Sequence, residues 1–221
     1  SSGQGNESEI SISWNYNESG YIPHPAFTFE EGIDKINSFD LKTGGKDDLA
    51  ELINDFVTGA LACDRGKAIV PYTAELLDAA RAAGVPVIFC NDAHIAGIDR
   101  ELKLWGDHAI AGTPGAEVIP ELKVSSKDFV IPKRRYSGFF QTDLDILLKE
   151  LGVKTVVMTG LHAHMCVRHT SADAYCLGYD VVVAKQATDS FTKEDYEGGL
   201  AYLKTCYGAD AYTNKELKAM F

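Results

Sequence analysis

The sequence predicts an α/β protein: a doubly wound, mostly parallel sheet with helices on both faces, preceded by an atypical N-terminal segment. Three observations carry that reading. From about residue 65 onward, short β-branched apolar runs alternate with stretches whose apolar residues recur at helical spacing. The runs lack a period of two, as expected of strands buried on both faces. Polar clusters close three of them, at Asn91–His94, Lys133 and His162–Cys166, and open α/β sheets bind ligands beyond the carboxyl ends of their strands.

Taken in order, TAELLDAARAAG (73–84) predicts a helix stopped by Gly84, and VPVIFCND (85–92) a buried strand. TPGAE reads as a turn leading into a helix start, and DFVIPKRR (128–135) as a second strand. TDLDILLKELG (142–152) has a Thr cap and a terminal glycine. VKTVVMTG (153–160) is a strand, MCVRHTSADAYCLG (165–178) a helix, YDVVVAKQAT (179–188) a strand, and KEDYEGGLAYLKTCYG (193–208) a long last helix.

Residues 1–48 read differently. EISISWNY (9–16) alternates apolar and polar residues, predicting an edge or half-exposed strand. YIPHPAFTF and KTGGKDD read as loop and linker. DDLAELINDFVTGALA then reads as a helix starting near Asp48. The expected division is a segment of unassigned role over 1–48 and an α/β domain over 49–221.

Composition narrows the function classes. With 45% apolar and 24% charged residues the chain has ordinary globular composition, and no apolar window reaches membrane-spanning length. A net charge of −11 excludes nucleic acid and anionic membrane surfaces as expected partners, since both select basic patches. SSGQGNESEI lacks the basic and apolar regions of a signal peptide. NES triplets at Asn6 and Asn17 match the glycosylation pattern, but nothing else points to secretion. Five cysteines, an odd number without C-x-x-C or framework spacing, fit a reducing cytoplasm.

Cys166 stands apart from the other four. If VVMTG is a strand and the helix opens near His164 or Met165, its thiol lies in the first helical turn. Unpaired amides and the helix dipole there favour a thiolate, and the same amides can hold an oxyanion on a carbonyl under attack. The competing reading is an inert core thiol. His162, His164 and His169 lie nearby, so a Cys–His hydrolase is open, although spacing selects none of them.

GLHAHMCVRHTSADAYCLGYDVVV resembles the signature of the isochorismatase-like cysteine hydrolase superfamily, G-x-x-T-x-x-C-V, a group that includes the nicotinamidases. KRRYSGFFQTDLDILLKELGVKTVVMTG fits as well, and the resemblance extends over roughly residues 51–220. It implies that Cys166 is the nucleophile, that Lys133 sits beside it, and that the His162–Ala163 bond is a cis peptide shaping an oxyanion hole with Cys166. Ala163 replaces the family's threonine. ELINDF (51–56) resembles the family's D-x-x-N-D-F and puts Glu51 in the place of the catalytic aspartate, with Asp40 and Asp55 as remoter carboxylates. The extra methylene of glutamate displaces the carboxylate by about 1 Å, enough to matter for rate.

NDAH and the later WGDH supply two imidazoles and a carboxylate, an open-site set for a divalent ion. The combination looks like the metal region of nicotinamidases, which implies Asp92, His94 and His108 as ligands and zinc as the ion. Where some relatives carry a further histidine, this chain has IAGIDR, ending in Arg100. Phe56 and Trp105 are candidate aromatic walls for a substrate. The leading expectation is hydrolysis of nicotinamide to nicotinate and ammonia through a thioester. The alternatives are another small amide, an isochorismate-like vinyl ether, and a non-catalytic binding or assembly module. The resemblance also implies a homo-oligomer.

Overall fold

Six strands, β1 (Gly45–Ala50), β2 (Val87–Asp92), β3 (Phe129–Lys133), β4 (Val153–Leu161), β5 (Asp180–Asp189) and β6 (Asp210–Tyr212), form a sheet in the order β3-β2-β1-β4-β5-β6. Every pairing in it is parallel. The computed structural model describes residues 45–50 and 52–221, with side chains from Leu52 onward. The expected strand at 9–16, together with Asp40 and Glu51, lies outside the described residues.

Seven helices cover the sheet among the described residues: α1 (Asn54–Val57), α2 (Asp64–Ala83), α3 (Leu102–Trp105), α4 (Leu144–Glu150), α5 (Cys166–Cys176), α6 (Lys193–Tyr207) and α7 (Asn214–Met220). Successive residues of one strand face opposite layers. Ile88, Cys90, Val156, Met158 and Val183 join Leu144 and Leu148 of α4, Val167 of α5 and Leu203 of α6. Val87 and Phe89 instead meet Ile69, Leu77 and Ala80 of α2, while Val157 and Val182 meet Leu76 of α2 and Leu217 of α7. This two-sided burial is why the apolar runs lack alternation.

Two expectations are corrected. The helix expected from Asp48 is instead strand β1 followed by the single-turn α1. β1 is the central strand, with Asp48 in register with Val87 on one side and Val157 on the other. GKDDLA does not have the β-branched composition of a buried strand; its place is set by pairing on both sides, a tertiary cause. The strand also crosses the boundary expected between residues 48 and 49. The second correction is α2, which starts at Asp64, nine residues before the expected Thr73, and runs through Pro71. Its first turn is capped by the Cys63 thiol, which accepts from the Gly66 amide.

The order reverses between β1 and β4, because β1 is flanked by β2 on one side and β4 on the other. Ligands in such sheets bind at that reversal. β2 ends at Asp92, β3 at Lys133 and β4 at Leu161, so the three clusters singled out in the sequence converge on one rim. No helix among the described residues is long and apolar enough to cross a membrane.

Candidate active site

Cys166 is the first residue of α5, buried at the end of the β4–α5 turn. The turn contains one cis peptide bond, between Leu161 and His162, one bond earlier than the His162–Ala163 bond expected. The Ala163 amide donates to the Asp189 carbonyl at 2.9 Å, so Ala163 is not the oxyanion donor that the sequence put forward. His162 and Cys166 remain as candidates for that role.

Lys133, at the end of β3, is almost completely buried. Its Nζ lies 2.5 Å from Asp92 Oδ1 and 3.6 Å from Cys166 Sγ. That places a buried ammonium between a carboxylate and a thiol. The histidines near Cys166 make other contacts. His164 Nδ1 is 3.0 Å from Ser190 Oγ, and the exposed His169 donates through Nδ1 to the Met165 carbonyl. His162 lies flat against Phe191, with ring centroids 3.8 Å apart. Both its ring nitrogens are buried without a partner. Burial pushes its pKa down to about 3, so the ring is neutral at ordinary pH.

Asp92, His94 and His108 are all buried, and each offers a ligand atom within 4.8 Å of the other two. The protonation pattern suits a cation. The Arg134 guanidinium holds the Asp99 carboxyl far below the ordinary carboxylate range, so Asp99 is an acceptor only. Asp99 takes two bonds from Arg134 Nε at 3.0 Å, a further one from the same guanidinium, and one from the Ile95 amide at 2.9 Å. Its Oδ2 also lies 3.3 Å from His94 Nδ1, which places the proton on that nitrogen. His94 Nε2 is then a buried lone pair with no partner, directed into the triad. Burial lowers the His94 pKa despite the neighbouring carboxylates, which keeps the ring neutral. His108 donates from Nδ1 to the Gly106 carbonyl at 2.8 Å, which leaves its other ring nitrogen for a ligand role. Two imidazoles and a carboxylate that has oxygen lone pairs beyond the one used by Lys133 fit a divalent ion.

The sequence reading missed two residues here. Asp99 is one. The other is Glu101, whose buried Oε2 stands 3.8 Å from His94 Nε2. Burial and the nearby Asp92 raise its pKa to about 7. The available signal was its spacing, seven residues before His108 and seven after His94. Arg100, considered for this region, is exposed and is not part of the triad. Asp55, considered as a catalytic acid, serves the backbone: it accepts from the Ala109 amide at 2.7 Å and the Ala60 amide at 3.2 Å. It thereby ties α1 to the loop that carries His108.

Phe56 and Trp105 line the same cavity as Cys166, together with His162, Tyr136 and Phe191. Trp105 stacks on Phe191 and donates from Nε1 to the Tyr136 hydroxyl at 3.0 Å. The cavity measures about 20 Å³.

A doubly wound parallel sheet with a buried cysteine at a strand–helix junction beside a buried lysine defines a class of α/β hydrolase. The chain belongs to the isochorismatase family, whose Isochorismatase domain matches residues 49–215. It is similar in structure to N-carbamoylsarcosine amidase from Thermoplasma acidophilum, with a TM-score of 0.72 and 34% identity over 76% of this chain and 95% of that one. It resembles pyrazinamidase of Pyrococcus horikoshii in complex with zinc, with a TM-score of 0.71 and 28% identity over 76% and 99% of the two chains. In sequence it is 32% identical to nicotinamidase 3 of Arabidopsis thaliana over 63% of this chain and 77% of the relative.

Proposed function

We propose that the protein is a cysteine-dependent amidohydrolase that converts a small carboxamide to its acid and ammonia. The observation that carries this reading is the buried Lys133 ammonium between Asp92 and Cys166, at the first residue of a helix. Lys133 and the α5 amides favour the thiolate of Cys166, which attacks the carboxamide carbon. Amides of His162 and Cys166 take the charge that develops on the oxygen. The C–N bond breaks, the departing nitrogen collects a proton and leaves as ammonia, and water then cleaves the thioester to release the acid and restore the thiol. The family pattern gives the proton transfer to Glu51. Asp92, His94 and His108 would hold a divalent ion, zinc first among them, which when bound supplies a Lewis acid at the substrate's edge. A pyridine nitrogen is a ligand for such an ion, so nicotinamide is the reference substrate. The amidase and nicotinamidase relatives support the reaction class.

The test is ammonia release from a panel of primary amides and ureas that includes nicotinamide, with Zn²⁺, Mn²⁺ or Fe²⁺ added. Release is expected, and it falls by at least about 10⁴-fold in Cys166→Ala with the fold unchanged by circular dichroism. No release from any amide with any metal overturns the proposal.

A further inference from the structure

The turn that carries Cys166 leans on the end of β5. Asp189, the last residue of β5, pairs in register with Leu161, the last residue of β4. Its carbonyl accepts from the Ala163 amide at 2.9 Å, which carries the pairing past β4 and into the turn, between His162 and Cys166. The next residue adds a side-chain tie, since the buried Ser190 Oγ lies 3.0 Å from His164 Nδ1. Whatever fixes Asp189 therefore fixes the stretch that presents the thiol and both candidate oxyanion donors.

Asp189 is held from α2, on the sheet face opposite to α5 and α6. Arg65, in the first turn of α2, donates to Asp189 Oδ1 from Nε at 2.9 Å and from Nη2 at 2.5 Å. The same oxygen accepts from the Ser190 amide at 2.8 Å. The Arg65 and Asp189 side chains are 34% and 14% exposed, and an ion pair this accessible adds little to global stability. Its place in the fold gives it a different use.

The first turn of α2 is itself seated on the catalytic turn. A β-carbon at Gly66 would stand 2.9 Å from Leu161 Cδ1 and 2.9 Å from the Phe56 carbonyl oxygen. From the other layer, a β-carbon at Gly199 of α6 would stand 2.9 Å from the Ala163 carbonyl carbon and 3.0 Å from the His164 nitrogen. Both helices approach more closely than a side chain allows, so the turn is gripped from two sides. Arg65 supplies the charged part of that grip.

We infer that Arg65 is a positioning residue for the amidase reaction: through Asp189 it keeps the His162 and Cys166 amides aimed at the developing oxyanion. The inference rests on the amidohydrolase reading and adds to it a residue from a helix outside the Cys166 cavity. Oxyanion donors act in the transition state rather than on bound substrate. A displacement of about 1 Å caused far from the chemistry can cost about 100-fold in rate. Loss of Arg65 therefore lowers kcat and leaves KM nearly in place.

The experiment measures kcat and KM for the fastest amide of the panel in the wild type, Arg65→Gln, Arg65→Lys, Asp189→Asn and the Arg65→Gln/Asp189→Asn pair, beside denaturant melts. Lys67→Gln is the control, because it removes an exposed cation of the same helical turn, 3.7 Å from Asp64. Arg65→Gln is expected to lower kcat by about 10- to 100-fold, with KM within about threefold and the unfolding midpoint close to wild type. Lysine keeps the charge without the fork and returns part of the rate. The double variant is no slower than the slower single one, since both substitutions break one contact. The control keeps the wild-type rate. A kcat within about threefold of wild type in Arg65→Gln, a fall matched by a lower unfolding midpoint, or additive losses in the double variant overturns this inference alone. Absence of wild-type turnover on every amide overturns it together with the amidohydrolase reading.

Discussion

At the end of β4 the reactive group is held by backbone. Cys166 owes its place to the Leu161–His162 turn, to the bond from Ala163 to Asp189, and to its position as first residue of α5. At the end of β2 the candidate ligands are held by side chains instead. His94 is fixed by Asp99, Asp99 by Arg134, Asp92 by Lys133, and the His108 loop by Asp55. The first plan rests on main-chain bonds. The second is a chain of polar and charged side chains in which each member depends on the next. Lys133 belongs to both, because it reaches Asp92 and Cys166 at once.

The largest expected effect follows from that shared position. Lys133→Met strands the Asp92 carboxylate in the interior, which costs roughly 3–5 kcal/mol in a denaturant melt of the metal-free protein. Zn²⁺ is expected to return part of this loss by giving Asp92 a new cation. A cost under about 1 kcal/mol would mean that the two strand ends are not coupled through Lys133.

Next in size is Asp99→Asn, which separates the plans. Weakening the hold on His94 should lower the affinity for Zn²⁺ or Co²⁺ by about 10–100-fold, read by calorimetry or by the cobalt spectrum. The rate of Cys166 alkylation should stay as in the wild type. Equal damage to both readouts would show that the side-chain network also supports the thiol.

The smallest effect belongs to the β4 side. His162 is buried neutral, with a folded pKa of about 3 against an ordinary value near 6.5. The unfolded chain therefore takes up a proton below pH 6.5 that the folded chain refuses until near pH 3. Stability intact above 6.5 is lost as pH falls through that window, by about 1.4 kcal/mol per unit at most. His162→Asn should flatten the stability profile between pH 6 and pH 5. An unchanged slope would place the acid sensitivity elsewhere.

These two plans also explain how much the sequence disclosed. The β4 side was legible because its determinants are contiguous: a β-branched run, a glycine, and a cysteine opening a helix. The alternating strands and helices from β2 to α6 were legible for the same reason. β1 was not, since GKDDLA owes its strand to β2 and β4 rather than to its own residues. Asp99 and Arg134 lie 35 residues apart and meet only in the fold. Ala163 was misjudged because the partner of its amide lies on β5. Glu101 sat in plain view, but only burial beside His94 distinguishes it from any surface glutamate.

One feature of the sheet reaches beyond a single molecule. On the outer strand β3, the Lys133 carbonyl bonds inward to Ala93, so Pro132 occupies a position whose backbone nitrogen faces outward. Proline has no hydrogen there to offer another strand. At the opposite margin β6 spans only three residues, too short to template a long pairing. Both margins of the described sheet therefore discourage its continuation into a neighbour, which guards against fibre-like stacking.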